Sequence, residues 1–352
     1  MHRDSERRRL SHSSRATILV AAALVAAVVS VGAGAAVRTA GKPRTRTIVD
    51  SLGRRVTVPL HPRRIVSFNS DLTELLYALG ASKRIVAPGY RITRNQAWLS
   101  KYAPRLVKLP SPQSPAGINV EALAALKPDL IVSTRFGEVS SDEVLSTTSK
   151  LKIPIVIISL ERLPTYDHDV MLTAKAVDAV ARGRTLTRFL DRSRARVIAR
   201  TRSIPASKRV RVYQALTDPY HTVGSGIFEA DQISAAGGVS VTNGLTGFGV
   251  PVSAEQILAW NPDAIVMLWE GSKSAVYNDS KLAAVKAVKN RRVYRQAEQG
   301  WGFATPRSIF AITWLAKKLY PARFRDVNLR AVANTFYKTV YGFRYQGPSL
   351  AG

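Results

Sequence analysis

One seven-residue phrase occurs twice in this chain, first as Leu126-Lys127-Pro128-Asp129-Leu130-Ile131-Val132 and again as Trp260-Asn261-Pro262-Asp263-Ala264-Ile265-Val266. Each copy has the pattern of a helix end, a Pro-Asp turn and a buried strand, because a short apolar run bounded by turn residues is typical of a parallel strand. Both copies follow a predicted helix that carries a glutamate, Glu121 or Glu255. The repeat indicates two lobes of similar construction.

Short apolar strands alternate with helices on both sides of a central helical stretch. The alternation predicts a parallel, doubly wound α/β lobe over 47–165, which opens with a hairpin at Thr47–Pro59, and a second such lobe over 206–345. Between them, residues 166–205 place apolar side chains at helical spacing. We expect two helices there, interrupted at Gly183. The second, about Arg184 to Arg202, is long enough to act as a single backbone helix joining the lobes.

The N-terminus has the three parts of an export signal. Arginines cluster before an uncharged stretch from Ala16 to Val37, whose apolar middle ends in small residues at 32–36. This order predicts a signal peptide over 1–35 that is removed after Ala35. The uncharged run also reaches the length of about 20 residues that spans a bilayer, so an uncleaved membrane anchor is the alternative.

Composition excludes several classes of site. The 352 residues include no cysteine, which rules out disulfides, thiolate catalysis and iron–sulfur clusters, and only five histidines. The formal net charge is +28, of which residues 1–41 supply +4 and the rest of the chain +24. We expect anionic ligands or an anionic envelope surface as the counterpart of this charge. Nucleic acid is not expected, since the basic residues are scattered and form no binding motif.

Four further segments carry a family resemblance: Asp50-Ser51-Leu52-Gly53-Arg54-Arg55-Val56-Thr57-Val58-Pro59, Thr73-Glu74-Leu75-Leu76-Tyr77-Ala78-Leu79-Gly80-Ala81, Asn119-Val120-Glu121-Ala122-Leu123-Ala124-Ala125-Leu126 and Val252-Ser253-Ala254-Glu255-Gln256-Ile257-Leu258. With the repeated phrase, they make the chain resemble the helical-backbone class of ABC-importer substrate-binding proteins from about Ile48 to Tyr341. That class serves ferric siderophores, haem and cobalamin. The resemblance implies two α/β lobes with the ligand in the cleft between them, a permease dimer in the inner membrane as partner, and no enzymatic activity. The lipoprotein cysteine of the class is absent, which favours a soluble periplasmic form.

Candidate ligand residues lie in the loops after the predicted strands, because ligands of open α/β sheets bind beyond the carboxyl ends of the strands. They are aromatic residues, arginines and one histidine: Tyr90, Arg91, Arg135, Phe136, Tyr220, His221, Phe248, Trp269, Trp301, Phe303 and Arg307. Such a surface suits a large, polyoxygenated metal chelate through ring stacking and bidentate hydrogen bonds. We therefore expect a ferric siderophore, with haem or a corrinoid as the alternative. Neither a cofactor nor a metal site formed by protein side chains is predicted.

Two glutamates are assigned to the permease instead of the ligand. Glu121 and Glu255 occupy the same place in the two copies of the repeat, and the resemblance implies that acids at these positions meet arginines of the two permease subunits. Glu74 is expected to be a packing or capping residue. The other hypotheses are a membrane-anchored sensor and an enzyme of the same fold, although no phosphate-binding loop or nucleophile motif supports an enzyme. We expect a monomer.

Overall fold

The computed structural model describes residues 44–350 apart from Trp269. The predicted signal peptide over 1–35 and the candidate ligand residue Trp269 lie outside the described residues. From Arg44 onward the chain forms one compact unit. Within residues 44–350, no helix combines the length and the apolar character that crossing a membrane requires.

The first lobe contains eight strands and six helices, in chain order β1 (Thr45–Val49), β2 (Arg55–Pro59), β3 (Ile65–Ser67), α1 (Ser70–Ala78), β4 (Ile85–Ala87), α2 (Ile92–Asn95), α3 (Leu99–Tyr102), α4 (Pro104–Val107), β5 (Gln113–Ser114), β6 (Gly117–Ile118), α5 (Val120–Ala125), β7 (Leu130–Thr134), α6 (Ser141–Thr148) and β8 (Ile155–Ile158). β1 and β2 form the predicted antiparallel hairpin. The main sheet is parallel, with the strand order β4-β3-β7-β8. Asn69 caps α1 by accepting a hydrogen bond from the backbone N–H of Leu72.

Two helices connect the lobes, α7 (Tyr166–Ala176) and the 22-residue α8 (Val180–Thr201). At 1.5 Å per residue, α8 is about 33 Å long, enough to join two lobes. The prediction that Gly183 interrupts the helices is wrong, since Gly183 lies within α8. A Cβ atom at this position would come within 2.6 Å of the Cβ of Ala174. The glycine is therefore required by the close approach of α7 and α8, not by a break.

The second lobe contains six strands and six helices, in chain order β9 (Arg211–Ala215), β10 (His221–Val223), α9 (Phe228–Ala235), β11 (Val239–Ser240), β12 (Phe248–Pro251), α10 (Ala254–Trp260), β13 (Ala264–Met267), α11 (Lys273–Tyr277), α12 (Lys286–Lys289), β14 (Val293–Arg295), α13 (Pro306–Leu319) and α14 (Leu329–Tyr341). The sheet has the order β12-β10-β9-β13-β14, and β11 pairs with β9. β11, β9, β13 and β14 run parallel, whereas β10 and β12 are antiparallel additions at one edge.

The repeated phrase has the same structure in both lobes. Lys127 and Asn261 both adopt a left-handed backbone conformation, with φ of 45° and 42°, at the end of α5 and α10. The carboxylate of Asp129 then accepts a hydrogen bond from the backbone N–H of Arg64 at 2.9 Å, and Asp263 accepts one from Arg211 at 2.9 Å. Each aspartate thereby fixes the entry to the neighbouring strand. The predicted fold class, two doubly wound α/β lobes joined by one long helix, is confirmed.

Candidate ligand-binding cleft

A cavity of about 980 Å³ lies where the two lobes face each other. Its wall includes residues one or two positions after strands of both sheets: Asn69 after β3, Ser159 after β8, Leu216 after β9 and Leu268 after β13. The carboxyl ends of the two sheets therefore open into the same space, as expected for a ligand site of this fold.

Four of the predicted ligand residues line the cavity: Arg91, Phe136, Phe248 and Phe303. The side chains of Phe136 and Phe248 are unusually open, with 62% and 55% of their surface exposed. Phe248 and Phe303 face each other with ring centroids 6.5 Å apart. The cavity therefore offers an apolar, aromatic surface to a ligand.

Tyr90 and Arg135 contact these wall residues without lining the cavity themselves. The guanidinium of Arg91 lies 5.2 Å from the centre of the Tyr90 ring, and its Nε donates a hydrogen bond to the Tyr90 hydroxyl at 2.6 Å. The guanidinium of Arg135 lies 5.3 Å from the centre of the Phe136 ring. Both predicted residues therefore hold a wall side chain in place through a cation–π contact.

Tyr220 and His221 lie away from the cavity, which corrects their prediction as ligand residues. The Tyr220 ring packs against the core of the second lobe, and its hydroxyl donates to Asp279. Burial, together with Asp279, raises the pKa of Tyr220 to about 12, and the hydrogen bond to Asp279 directs the hydroxyl towards the protein. His221 Nδ1 is paired with the carboxylate of Asp218 at 2.9 Å.

Trp301 is also corrected, because it is a core residue. It has no exposed surface, and its ring makes edge contacts with Phe310 at 5.3 Å and Trp314 at 5.6 Å. Trp301 followed a predicted strand in the sequence, which suggested the cleft, but the loop folds inward beneath α13 and buries the indole. Trp314 is buried as well.

Arg307 belongs to a buried charge network between the lobes, so it is not available to a ligand. Only 1% of its side chain is exposed, and Nη2 binds Glu74 at 2.8 Å while Nη1 binds Glu298 at 3.1 Å. Tyr341 and Tyr337 donate to the same two carboxylates. Burial alone would lower the pKa of Arg307, but Glu74, with Tyr337 and Glu298, outweighs that effect and raises it. Glu74 therefore forms an ion pair with Arg307 of the second lobe, and it is also a buried packing residue.

The sequence analysis missed the acidic character of the cavity. Five carboxyl groups line it, against two guanidinium groups: Asp71, Glu138, Glu161, Glu229 and Glu270, with Arg91 and Arg94. The basic net charge of the chain is therefore not carried into the cleft, and it gives no support to an anionic ligand. Their position in the sequence could have indicated this, because Asp71, Glu161 and Glu270 come three or four residues after the ends of β3, β8 and β13.

Three of these acids are held by protein donors. Asp71 accepts a hydrogen bond from Gln96 Nε2 at 2.9 Å. Glu138 accepts hydrogen bonds from two backbone N–H groups. One is that of Ser70, the first residue of α1, at 2.8 Å, and the other is that of Arg91, just before α2, at 3.3 Å. Glu270 forms a bidentate pair with Arg94, with N–O distances of 3.0–3.2 Å. This pair, together with the hydrogen bond from Gln299 to Asn95 at 3.2 Å, joins the two lobes beside the cavity.

Three of the acids, Asp71, Glu138 and Glu229, are shifted towards their neutral forms. Burial raises the pKa of Glu229 to about 8, and the negative charge of Asp71 adds to the rise. Burial likewise raises the pKa of Asp71 to about 7, helped by Glu138 and Glu74 and opposed by Arg307. Burial also raises the pKa of Glu138 despite its hydrogen bonds.

The profile of the periplasmic binding protein family matches residues 65–299. The chain belongs to this family. It is 29% identical over 334 residues to the molybdate-binding protein MolA of Haemophilus influenzae, covering 87% of this chain and 93% of that protein. The structure of MolA bound to molybdate has a TM-score of 0.77 and 28% identity, over 86% of this chain and all of MolA (100%). A vitamin B12-binding protein of Pectobacterium atrosepticum is 30% identical over 217 residues, which are 58% of this chain and 71% of that protein.

The family assignment settles the class of activity. This periplasmic binding protein is a substrate-binding component of an ABC transporter, and it is not an enzyme. Its family binds small molecules and delivers them to a permease. The large cleft between the lobes is the feature of the molecule that suits this role.

Proposed function

We propose that this binding protein captures a bulky metal chelate, a ferric siderophore first, with haem or a corrinoid as the alternative. The observation that carries the proposal is the cleft itself. Its volume of about 980 Å³ is at the top of the range of about 300–1,000 Å³ that small-molecule sites occupy. Phe136 and Phe248 leave more than half of their side chains exposed inside it, an apolar surface that a chelate of this size covers and a bare ion does not.

Calorimetric titration of the purified protein tests this proposal. Ferric hydroxamate, catecholate and citrate chelates, haemin and cobalamin are the ligands, and we expect micromolar or tighter binding of a ferric chelate. Replacing Phe136 and Phe248 by alanine should weaken that binding about tenfold or more, since two aromatic stacking contacts are lost. Ile198→Ala is the matched control, because Ile198 is 48% exposed on α8. Tight binding of haemin or cobalamin alone would favour the alternative, and no binding of any of the five would refute the proposal.

An oxyanion is the second candidate, and one observation favours it. MolA, which is similar to this chain over almost its full length, is a molybdate-binding protein. The cleft offers Arg91 and Arg94 as anion-binding groups, although Arg94 is already neutralised by Glu270. Titration with molybdate decides the matter: submicromolar binding of molybdate without binding of any chelate would replace the chelate proposal.

We further propose that Glu121 and Glu255 dock to the two subunits of a permease dimer. Each is exposed in the first turn of its helix, Glu121 in α5 and Glu255 in α10. Each of these helices leads directly into the repeated turn of its lobe. Two equivalent acids, one on each lobe, suit a partner with two equivalent subunits. Reversing both to lysine should abolish uptake and leave ligand affinity unchanged, because rim charges set orientation and encounter. Asp142→Lys, also exposed on the first lobe, is the control; normal uptake by the double variant would refute docking.

Export follows from the same role. We propose that the signal peptide over 1–35 is removed and that a monomer is released into the periplasm, with lobes over 47–165 and 206–345 and the helical pair over 166–205. Mass spectrometry of the protein recovered from cells should give a chain that begins after Ala35, and light scattering should give the mass of one chain. A chain with residues 1–30 intact would favour the membrane-anchored alternative.

A further inference from the structure

The cleft reverses the charge balance of the chain. The sequence has 52 lysines and arginines against 24 acids. The cavity wall instead has five carboxyl groups and two guanidinium groups. Charges scattered at random would have given a basic wall, so the acids are concentrated where the ligand binds.

Two of these acids accept no hydrogen bond from any other residue in the described part of the chain. Glu229 is only 6% exposed, and no residue in the described part of the chain supplies its carboxylate with a hydrogen bond beyond its own backbone. Glu161 Oε1 is buried without any hydrogen-bond partner. The two residues come from opposite lobes, Glu161 after β8 and Glu229 in the first turn of α9, and both line the cavity. Buried polar atoms are rarely left unpaired, and each one calls for a donor.

The other charged groups of the wall do not provide that donor. Arg94 is engaged by Glu270 in a bidentate pair, and Arg91 donates to Tyr90. Gln96 Nε2 donates to Asp71 at 2.9 Å. An occupant of the cavity can therefore supply donors to Glu161 and Glu229, which both line it.

We infer that the cleft selects a neutral or positively charged chelate that presents hydrogen-bond donors, above all a protonated amine, to Glu161 and Glu229. This inference rests on the proposed function, since it specifies which metal chelates the same site accepts. The phenylalanines cover the apolar body of the chelate, and the carboxyl groups bind its donor arm. An anionic chelate would bring further negative charge to an acidic wall in which Arg94 is already paired with Glu270, so Arg91 would be left to offset it.

The ionisation of the wall agrees with this assignment. Burial raises the pKa of Glu229 to about 8, so this one carboxyl group carries a proton in most molecules at pH 7 while the cleft is empty. A cation bound beside Glu229 would favour the ionised form, and binding would then release protons. Calorimetry in two buffers of different ionisation enthalpy measures that release.

A charge series on one chelate scaffold tests the inference. The probes are a ferric tris-hydroxamate with one protonated amine (net charge +1), the same chelate with its amine acetylated (neutral) and the same chelate with its amine succinylated (net charge −1). We expect the affinity to fall in that order, by about tenfold from the first to the second, because a charge-assisted hydrogen bond to a buried carboxylate is lost. Proton release should accompany binding of the cationic chelate and be smaller for the neutral one.

Variants assign the effect to the two glutamates. Glu229→Gln and Glu161→Gln should each lose most of the preference for the cationic over the acetylated chelate, while binding of the acetylated chelate changes less than threefold. Asp142→Asn, an exposed acid of α6 outside the cavity, should keep the preference. The retained binding of the acetylated chelate shows that each variant is folded.

The outcomes separate this inference from the proposed function. Equal affinity for the three chelates, or tightest binding of the succinylated one, would overturn the charge selection while the chelate function stands. Binding of none of the three, with tight binding of molybdate, would overturn both. A charge preference that survives in both glutamine variants would also overturn the assignment to Glu161 and Glu229.

Discussion

Replacing Glu229 by glutamine should stabilise the folded protein at neutral pH. The side chain is 6% exposed, and burial raises its pKa from 4.5 to about 8. Because the folded-state pKa is the higher one, the carboxyl group favours folding fully only below pH 4.5, and that contribution is lost as the pH rises towards 8. Glutamine has the shape of the protonated acid and never ionises, so it avoids the loss.

The magnitude follows from about 1.4 kcal/mol for each unit of pKa shift. A pH of 7 lies about 2.5 units above the unfolded-state pKa and still below the folded-state pKa. Ionisation of Glu229 in the unfolded state therefore costs the native protein about 3 kcal/mol of stability, which Glu229→Gln avoids. At pH 5 the advantage falls to about 1 kcal/mol, and below pH 4 it vanishes. Stabilisation at the expense of binding is expected at a functional site.

Urea unfolding at pH 5 and pH 7, followed by circular dichroism, measures both values. Glu121→Gln is the matched control, since Glu121 is an exposed acid in the first turn of α5, and its free energy of unfolding should change by less than about 0.5 kcal/mol at either pH. The reasoning is refuted if Glu229→Gln is no more stable than the native protein at pH 7, or if its advantage does not grow between pH 5 and pH 7.

Three further predictions concern the frame that surrounds the cleft. Arg307→Met should lower the free energy of unfolding by about 3–5 kcal/mol in urea titration, since it leaves the buried carboxylate of Glu74 unpaired; a loss below about 1 kcal/mol would contradict the network. Gly183→Ala should lower the melting temperature, because its Cβ would meet Ala174 at 2.6 Å; a rise, as at an ordinary exposed helix position, would show that α7 and α8 are less close. Small-angle scattering with and without a bound chelate should give nearly the same radius of gyration, because α8 and the pair of Arg94 with Glu270 join the lobes; a clear compaction would show hinge closure.

The sequence predicted the two lobes and the helix that joins them well, because apolar residues recur along the chain with the same period as the strands and helices that they form. The repeated phrase around Asp129 and Asp263 identified both lobes, and helical spacing identified α8. Loop position after β7 placed Phe136 on the cavity wall, whereas Phe248, which also lines the cavity, is the first residue of β12. These features depend on residues close together in the chain, so local pattern is enough to find them.

The chemistry of the cleft was less accessible, for two physical reasons. Asp71 and Glu229 stand in the first turns of helices, where acids are common because they favour the helix dipole, so nothing in the sequence marks them as cavity residues. Arg307 finds Glu74 at a separation of 233 residues. Whether an arginine faces a ligand or a buried carboxylate depends on such distant pairing, which no local pattern encodes.

The network around Arg307 also constrains the order in which the molecule can be completed. Glu74 lies near the beginning of the first lobe, whereas Arg307 and Tyr341 follow it by 233 and 267 residues. A growing chain therefore holds an unpaired Glu74 carboxylate in its first lobe until α13 and α14 have been synthesised. The two lobes are thus not independent modules that can be produced, exchanged or truncated separately. The last two helices act as a closing segment, because they supply the partners that Glu74 needs before it can be buried.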